Sequence, residues 1–350
     1  MGKKKTKNNN KAIKSFSDLG SLVRFPDKLS DHKAKTTKIS HPRERQKDTP
    51  FQQTDNKKQN NGHRPQTNNT YPLPEGLLEL SENVNSEISN LSLLFNRFIP
   101  YSRHEKEDGN TIWKIDNKPQ LWKMIEKEAN DLAQNCRNAH YGVERQKMLL
   151  NSLRAKYGKD QVVEIIAQTV SKLSIGFGTP SPLETGLSLH KLYNLPYIPA
   201  TSVKGICRSW VEFDIQGDCN ESMDYIQIFG SKDAEGDICF YDAFPTAKNL
   251  NKPSAKSLSE PLFSNDIINV HFQPYYDKKQ PPADYLSPIP NNFLTVSPGI
   301  DFRFIIHTRS KGNNDLIQTA ANWLSKALTE AGIGSKTAVG YGEMKILNIN

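Results

Sequence analysis

Apolar positions recur at spacings of three and four in Leu316, Ile317, Ala320, Ala321, Leu324, Ala327, Leu328 and Ala331. This is the period of one buried helical face, and Gly332 follows as a natural C′ residue free to take positive φ. Met344, Ile346, Leu347 and Ile349 predict a short closing strand. Between helix and strand lies the turn Gly332-Ile333-Gly334-Ser335-Lys336-Thr337-Ala338-Val339-Gly340-Tyr341-Gly342.

Earlier in the chain, Ile88 to Ile99 has the apolar density of a core helix closing at Pro100. Leu121, Trp122, Ile125, Ala129, Leu132, Ala133 and Cys136 mark one face of a helix from about Pro119 to Asn138, after a charged loop over 101–110. Helical segments over about Val143–Tyr157 and Lys159–Gln168 follow, then a strand over Thr169–Phe177. Gly176 to Gly186 is a turn-dense loop, and Leu187 to His190 alternates like a strand. Pro199 with Thr201 or Ser202 starts a helix carrying Val203, Ile206, Cys207, Trp210 and Val211 on its apolar face. Asp237–Phe244 and Asp266–Phe272 read as strands, and Phe293–Ser297 with Phe302–His307 reads as a hairpin across Pro298-Gly299. Strands and helices alternating from about residue 168 indicate an α+β or α/β sandwich.

Charge divides the chain unevenly. Residues 1–75 hold 17 Lys and Arg against 7 Asp and Glu, so this segment exceeds the whole chain's net charge of +8 and leaves about −2 for the rest. Rich in Lys, Asn, Gln, Thr and Pro, it has little to bury and is expected to be disordered, except that Ile13–Phe25 could dock on a partner. It is read as a solvated extension or as a non-specific electrostatic contact to nucleic acid. Tyr71–Gly76 marks the entry to the folded part.

There is no long apolar run or basic start followed by an apolar segment, so neither a membrane span nor a secretory signal is predicted. Met1-Gly2-Lys3-Lys4-Lys5-Thr6 fits a myristoylation pattern that short sequences match by chance. Cys136, Cys207, Cys219 and Cys239 lack C-x-x-C or zinc-finger spacing, which predicts reduced thiols in a cytoplasm, with no metal and no cofactor.

Candidate chemistry centres on the last turn. Its glycines let a ligand approach bare N–H groups, and Lys336 supplies charge beside them, which favours a phosphate-bearing partner. Ser335 before Lys336 and the helix-to-strand context exclude the P-loop, and Thr337 excludes G-x-G-x-x-G. A tight connection whose glycines only solve backbone geometry stays open beside the phosphate reading. Lys204 and Arg208, four apart on one helix face, can reach one anion together, with an ordinary solvated face as the alternative. Gly205 between them permits close packing or backbone approach. Arg97, inside an apolar run, is a snorkelling or paired side chain or else a phosphate contact.

Four stretches together carry a resemblance: Asn90-Leu-Ser-Leu-Leu-Phe-Asn-Arg-Phe98; Gly176 through Arg208, with Pro196-Tyr-Ile-Pro199 and Ser202-Val-Lys-Gly205; His271 through Val296, with Pro282-Ala-Asp284, Ser287-Pro-Ile-Pro290 and Phe293-Leu-Thr-Val296; and Gly332–Gly342. From about residue 77 onward the chain resembles the RAMP superfamily of CRISPR-associated RNA-binding proteins, and within it the sixth RAMP subunit of type III-B (Cmr) effector complexes. Ala200 departs from the glycine this family often has there, so position 200 is left out of the site.

The resemblance implies an α+β fold with a ferredoxin-like, RNA-recognition-motif-like core and helical insertions. The domain would span 76–350, with 76–168 mainly helical and 169–350 mainly the ferredoxin-like core, after the basic tail of 1–75. It implies a non-catalytic cytoplasmic subunit that contacts the guide RNA backbone near its 3′ end while a different RAMP subunit cleaves the target. Its partners would be guide RNA, target RNA through the complex, the backbone RAMP, the small helical subunit and the other head RAMP. Backbone and shape recognition suit a guide of variable sequence. In this context Lys204, Arg208 and Lys336 become phosphate partners, and Gly205, Gly332, Gly334, Ser335, Thr337 and Gly340 line the backbone approach. Tyr341 stacks on a base or packs into the core. The rival function is an endoribonuclease, for which His190 and His271 are the histidines inside the matched stretches.

Overall fold

A computed structural model describes residues 89–97, 99, 101–105, 111–115, 118–135, 137–214, 223–250, 261–310 and 312–350, all within the unit Pro65–Asn350. The basic tail, Ile13–Phe25, the myristoylation pattern, Tyr71–Gly76, Phe98, Cys136 and Cys219 lie outside the described residues.

The organising element is strand β3 (Val162–Thr169), paired with β8 (Asp301–Thr308) on one side and β9 (Met344–Ile349) on the other, both antiparallel. β4 (Ile238–Phe240) and β5 (Phe244–Pro245) pair with the far edge of β8. The sheet order is therefore β4-β8-β3-β9, with β5 off this path. Two helices complete the unit: α4 (Ala200–Asp214) lies between β3 and β4, and α6 (Asn314–Lys326) between β8 and β9. The chain thus runs β-α-β-β-α-β through this sheet.

Burial explains the register. Ile165, Ala167, Phe302, Phe304 and Ile306 share a core cluster with Val203, Cys207, Val211, Ile317, Ala320 and Leu324 of α4 and α6. On the opposite face Val162 and Ile305 pack with Leu150 and Leu153 of α3 (Arg137–Tyr157). Central strands of this sheet are covered on both faces, so β3 reads as a nearly continuous apolar run. The segment Lys159–Gln168, expected to be helical, is a 3-10 turn (Lys159–Gln161) leading into β3. Its apolar positions satisfy a helical period only because both faces are buried. Of the strand expected over Thr169–Phe177, Thr169 ends β3 and the rest forms only isolated bridges, Leu173 to Val296 and Ser174 to Ser335, while Leu189 bridges Pro196.

The hairpin expected across Pro298-Gly299 is also corrected. β7 (Ile289–Val296) pairs with β6 (Phe263–Val270), while β8 joins the main sheet. β8 is buried along most of its length and pairs with β3 on one side and with β4 and β5 on the other, an arrangement that a simple hairpin partner could not provide. The β6-β7 ribbon is rooted by Phe263, Phe293, Leu294 and Val296, all buried. Asn130 of α2 (Lys118–Asn135) clamps its base, donating to the Phe263 carbonyl at 2.9 Å and accepting from the Phe263 N–H at 2.8 Å. A small ribbon, β1 (Ser102–Glu105) with β2 (Thr111–Lys114), occupies part of the expected charged loop, and the described helices also include α1 (Leu91–Arg97), α5 (Met223–Phe229) and a single turn at Gln273–Tyr276. No helix among the described residues is long and apolar enough to cross a membrane.

Candidate nucleic-acid interface

Helix α6 widens into a π-type turn over Ala327–Ala331 and stops at Gly332, whose φ of 70° only a residue without Cβ adopts easily. The loop is zipped at its neck. The Ile333 N–H donates to the Gly342 carbonyl (2.9 Å), the Gly342 N–H to the Lys172 carbonyl (2.9 Å) and the Ser335 N–H to the Ser174 carbonyl (2.6 Å). A Cβ at Gly332 would sit 3.0 Å from Gly342 O, one at Gly334 2.4 Å from Ser174 O, and one at Gly342 1.9 Å from Ile333 O. The chain's own backbone fills these places, so Gly332 and Gly334 serve the loop's internal geometry. Gly340 differs: it has φ 93° and nothing within 4 Å of its Cβ position.

The outer half of the loop is bonded differently. Lys336 takes a left-handed conformation (φ 64°, ψ 29°) before the 3-10 turn Thr337–Val339. The N–H groups of Lys336, Thr337 and Ala338 have no acceptor among the described residues, whereas those of Val339, Gly340 and Tyr341 bond back to Lys336 O and Thr337 O. Successive free N–H groups at a left-handed residue form an anion-binding concavity. Lys336 Nζ sits 4.6 Å from the centroid of Phe177 and is not ion-paired among the described residues. The ring restrains the ammonium without neutralising it.

Tyr341 is held from below. Its hydroxyl donates to Asp266 Oδ2 at 2.8 Å, and Lys172 Nζ lies 3.3 Å from the same oxygen. Its ring packs on Phe293 (5.9 Å), which meets Phe177 edge-on at 5.1 Å. Burial and the Asp266 contact push the Tyr341 phenol up to about 12. Burial works against the Asp266 charge, but Tyr341, the Ile267 N–H and Lys172 outweigh it and hold the carboxyl below its usual range. Of the two readings of Tyr341, these contacts realise packing.

On α4, Lys204 is half-buried and Gly205 is exposed with open space around it. Arg208 donates to Glu212 Oε1 at 2.8 Å and lies 5.7 Å over the ring of Tyr225, whose hydroxyl also bonds Glu212. To meet a phosphate, Arg208 must exchange this carboxylate. Lys204 lines a cleft of about 580 Å³ beside β4 with Lys232, Asp233, Glu235 and Arg309. Glu235 is ion-paired with Arg309 there. Among the described residues no hydrogen bond, ion pair or ring contact joins Lys336 to Lys204 or Arg208, so the turn and the helix present separate contact sets.

The histidines named for a nuclease share no contact among the described residues. His190 stacks on Tyr193 (4.1 Å), and its Nδ1 accepts from the Leu192 N–H at 3.3 Å. Burial lowers its pKa. His271 is exposed beside Phe272. Among the described residues, no group of three or more His, Cys, Asp or Glu side chains could hold a metal ion. Sequence reasoning missed Phe177, Asp266 and Lys172 as supports of the loop, because these partners lie 75 to 169 positions away along the chain.

The RAMP superfamily profile matches residues 166–345, which contain the second half of β3, then α4, β4, β8, α6 and the glycine turn. The Cmr6 subunit of the CRISPR Cmr system from Saccharolobus solfataricus is 30% identical, with 69% of this chain and 77% of the relative covered. The Cmr6 subunit from Pyrococcus furiosus is 27% identical, over 56% of this chain and 69% of the relative. A chain in the cryo-EM structure of a type III-B Cmr-beta complex bound to cognate target RNA is 24% identical, covering 67% of this chain and 74% of that one, with a TM-score of 0.49. Profile and relatives converge on one assignment: the chain belongs to the RAMP superfamily and, within it, to the Cmr6 family of type III-B CRISPR subunits.

Proposed function

We propose that this protein is a non-catalytic guide-RNA-binding subunit of a type III-B CRISPR ribonucleoprotein, working in the cytoplasm in antiviral defence. It contacts the RNA backbone near the guide's 3′ end and abuts the backbone RAMP, the small helical subunit and the other head RAMP. Through them it meets target RNA. Its β-α-β-β-α-β order and antiparallel β4-β8-β3-β9 sheet fit a ferredoxin-like core. The names of its relatives as Cmr subunits support the assembly.

The observation that carries the RNA reading is the outer half of the glycine turn, where the N–H groups of Lys336, Thr337 and Ala338 have no acceptor and the Lys336 ammonium no ion-pair partner among the described residues. Such a site recognises phosphate and is indifferent to base identity, as a programmable guide requires. Lys204 adds charge on a second surface, and Arg208 joins it where phosphate displaces Glu212.

Ultraviolet crosslinking of the assembled complex to its guide RNA, with peptide mapping, tests this. Crosslinks within 332–342 are expected; a complex whose guide crosslinks only to other subunits would reduce this chain to a protein scaffold. Incubating the purified chain with labelled guide and target RNA, with and without divalent metal, should leave both intact. Specific cuts abolished by His271→Ala would instead make it a nuclease.

A further inference from the structure

Another surface, lined in part by the loop 176–186, has the chemistry of a polyanion seat. Asn90, Ser92, Leu93, Asn96 and Arg97 from α1 and its approach, Pro180–Pro182 from the loop, and Lys191 enclose a cleft of about 780 Å³. Two cations among its described residues, Arg97 and Lys191, are exposed and have no ion-pair partner among the described residues. Among the described residues, no carboxylate lines the cleft. Arg208, Lys118, Lys172 and Arg309 by contrast each sit on an acidic side chain. Two unpaired cations facing one concavity raise its potential and have no internal reason to converge.

The cleft is also held in shape from beneath. Asn194 is fully buried, with φ 57°, and its side chain accepts from the Leu91 N–H (2.8 Å) and donates to the Ser89 carbonyl (2.7 Å). Asn90 Nδ2 donates to the Lys191 carbonyl at 2.6 Å. These bonds staple the segment bearing Lys191 to the start of α1, so the walls stand without a ligand. Ser181 Oγ accepts from the Leu183 N–H at 3.2 Å, which leaves its O–H free to donate outward. Leu93, 49% exposed, and the two prolines offer apolar surface against which a sugar or base can lie.

We infer that this cleft is a second seat for the sugar-phosphate backbone of single-stranded RNA, with Arg97 and Lys191 as its phosphate contacts. The inference rests on the RNA-binding reading above and extends the path from one loop to two. Pro180 follows Phe177, the ring under Lys336, by three residues, which separates the two by at most about 11 Å of chain. One strand of a few nucleotides can reach both.

The test uses the full chain and fluorescein-labelled single-stranded RNA of mixed sequence in an anisotropy titration over a salt series. The double variant R97A/K191A should weaken binding about tenfold near 150 mM salt and lower the log-log salt slope by about 1.4, at roughly 0.7 per phosphate contact. R97K/K191R, which keeps both charges, should restore most of the affinity. Leu93→Glu, on an exposed position, places a carboxylate in the cleft and should act in the same direction without disturbing the core. Wild-type affinity and slope in both R97A/K191A and Leu93→Glu, with Lys336→Ala impaired, would overturn the second seat and leave the RNA reading standing. Wild-type behaviour in all three variants would remove both. Saturable binding of inorganic phosphate or adenosine monophosphate that is lost in R97A/K191A, without any loss of RNA affinity, would identify a small-anion pocket and also overturn the proposal.

Discussion

Replacing Gly334 by alanine tests the assignment of the inner glycines to fold geometry. Gly334 has φ 105°, and its added Cβ would lie 2.4 Å from Ser174 O and 3.0 Å from Leu173 Cδ1. Holding a non-glycine residue at such a φ costs about 1–3 kcal/mol. Pushing the two segments apart lengthens the bond from the Ser335 N–H to the Ser174 carbonyl, worth about 1 kcal/mol. Displacing Leu173, fully buried in the core, adds about 1 kcal/mol or more. The sum is about 3–5 kcal/mol, or a fall of roughly 10 °C in the unfolding midpoint at the 2–4 °C per kcal/mol of a domain this size. Gly340→Ala meets no atom within 4 Å and bears only the φ strain, about 1–2 kcal/mol. Thermal unfolding of both variants, followed by circular dichroism, measures the contrast. Equal and small shifts in the two, with RNA binding lost in Gly334→Ala, would refute the reasoning and return Gly334 to ligand approach.

Tyr341→Phe removes the bond to Asp266 and should leave RNA affinity within about twofold while lowering stability by about 1–2 kcal/mol near neutral pH, measured by anisotropy and urea unfolding. Asp266 has a depressed folded-state pKa, so its contribution is present above the ordinary carboxylate range and is lost as pH falls through the folded value. Thermal midpoints between about pH 7 and pH 3 should therefore fall less in Asp266→Asn than in the wild type. Asn194→Ala leaves the Leu91 N–H without its acceptor in a buried site and should cost about 2 kcal/mol, with faster hydrogen exchange across 91–97. Arg208→Ala should reduce RNA affinity less than Lys336→Ala, because Arg208 must first give up Glu212.

How much was legible in sequence depended on where each residue's partners lie. The last helix, its stop at Gly332 and the closing strand follow from local periodicity and one glycine, and the structure places them there. β3 was misread because burial on both faces erases the alternation that marks a strand. The turn at Pro298-Gly299 is real, but the strands it joins belong to different sheets, a choice made by long-range packing. Lys336 was visible from its glycine neighbours, whereas its restraint by Phe177 was not. Lys204 and Arg208 share a helix as their spacing required, yet Glu212, one turn further on, claims Arg208. The cleft of Arg97 and Lys191 joins residues 94 positions apart, beyond any local pattern.

The most direct test of the central claim is the salt dependence of RNA binding by Lys336→Ala in the full chain. The account predicts a loss of affinity about equal across RNA sequences and a log-log slope reduced by roughly 0.7, one phosphate contact. Unchanged affinity and slope, or a loss confined to particular sequences, would contradict it.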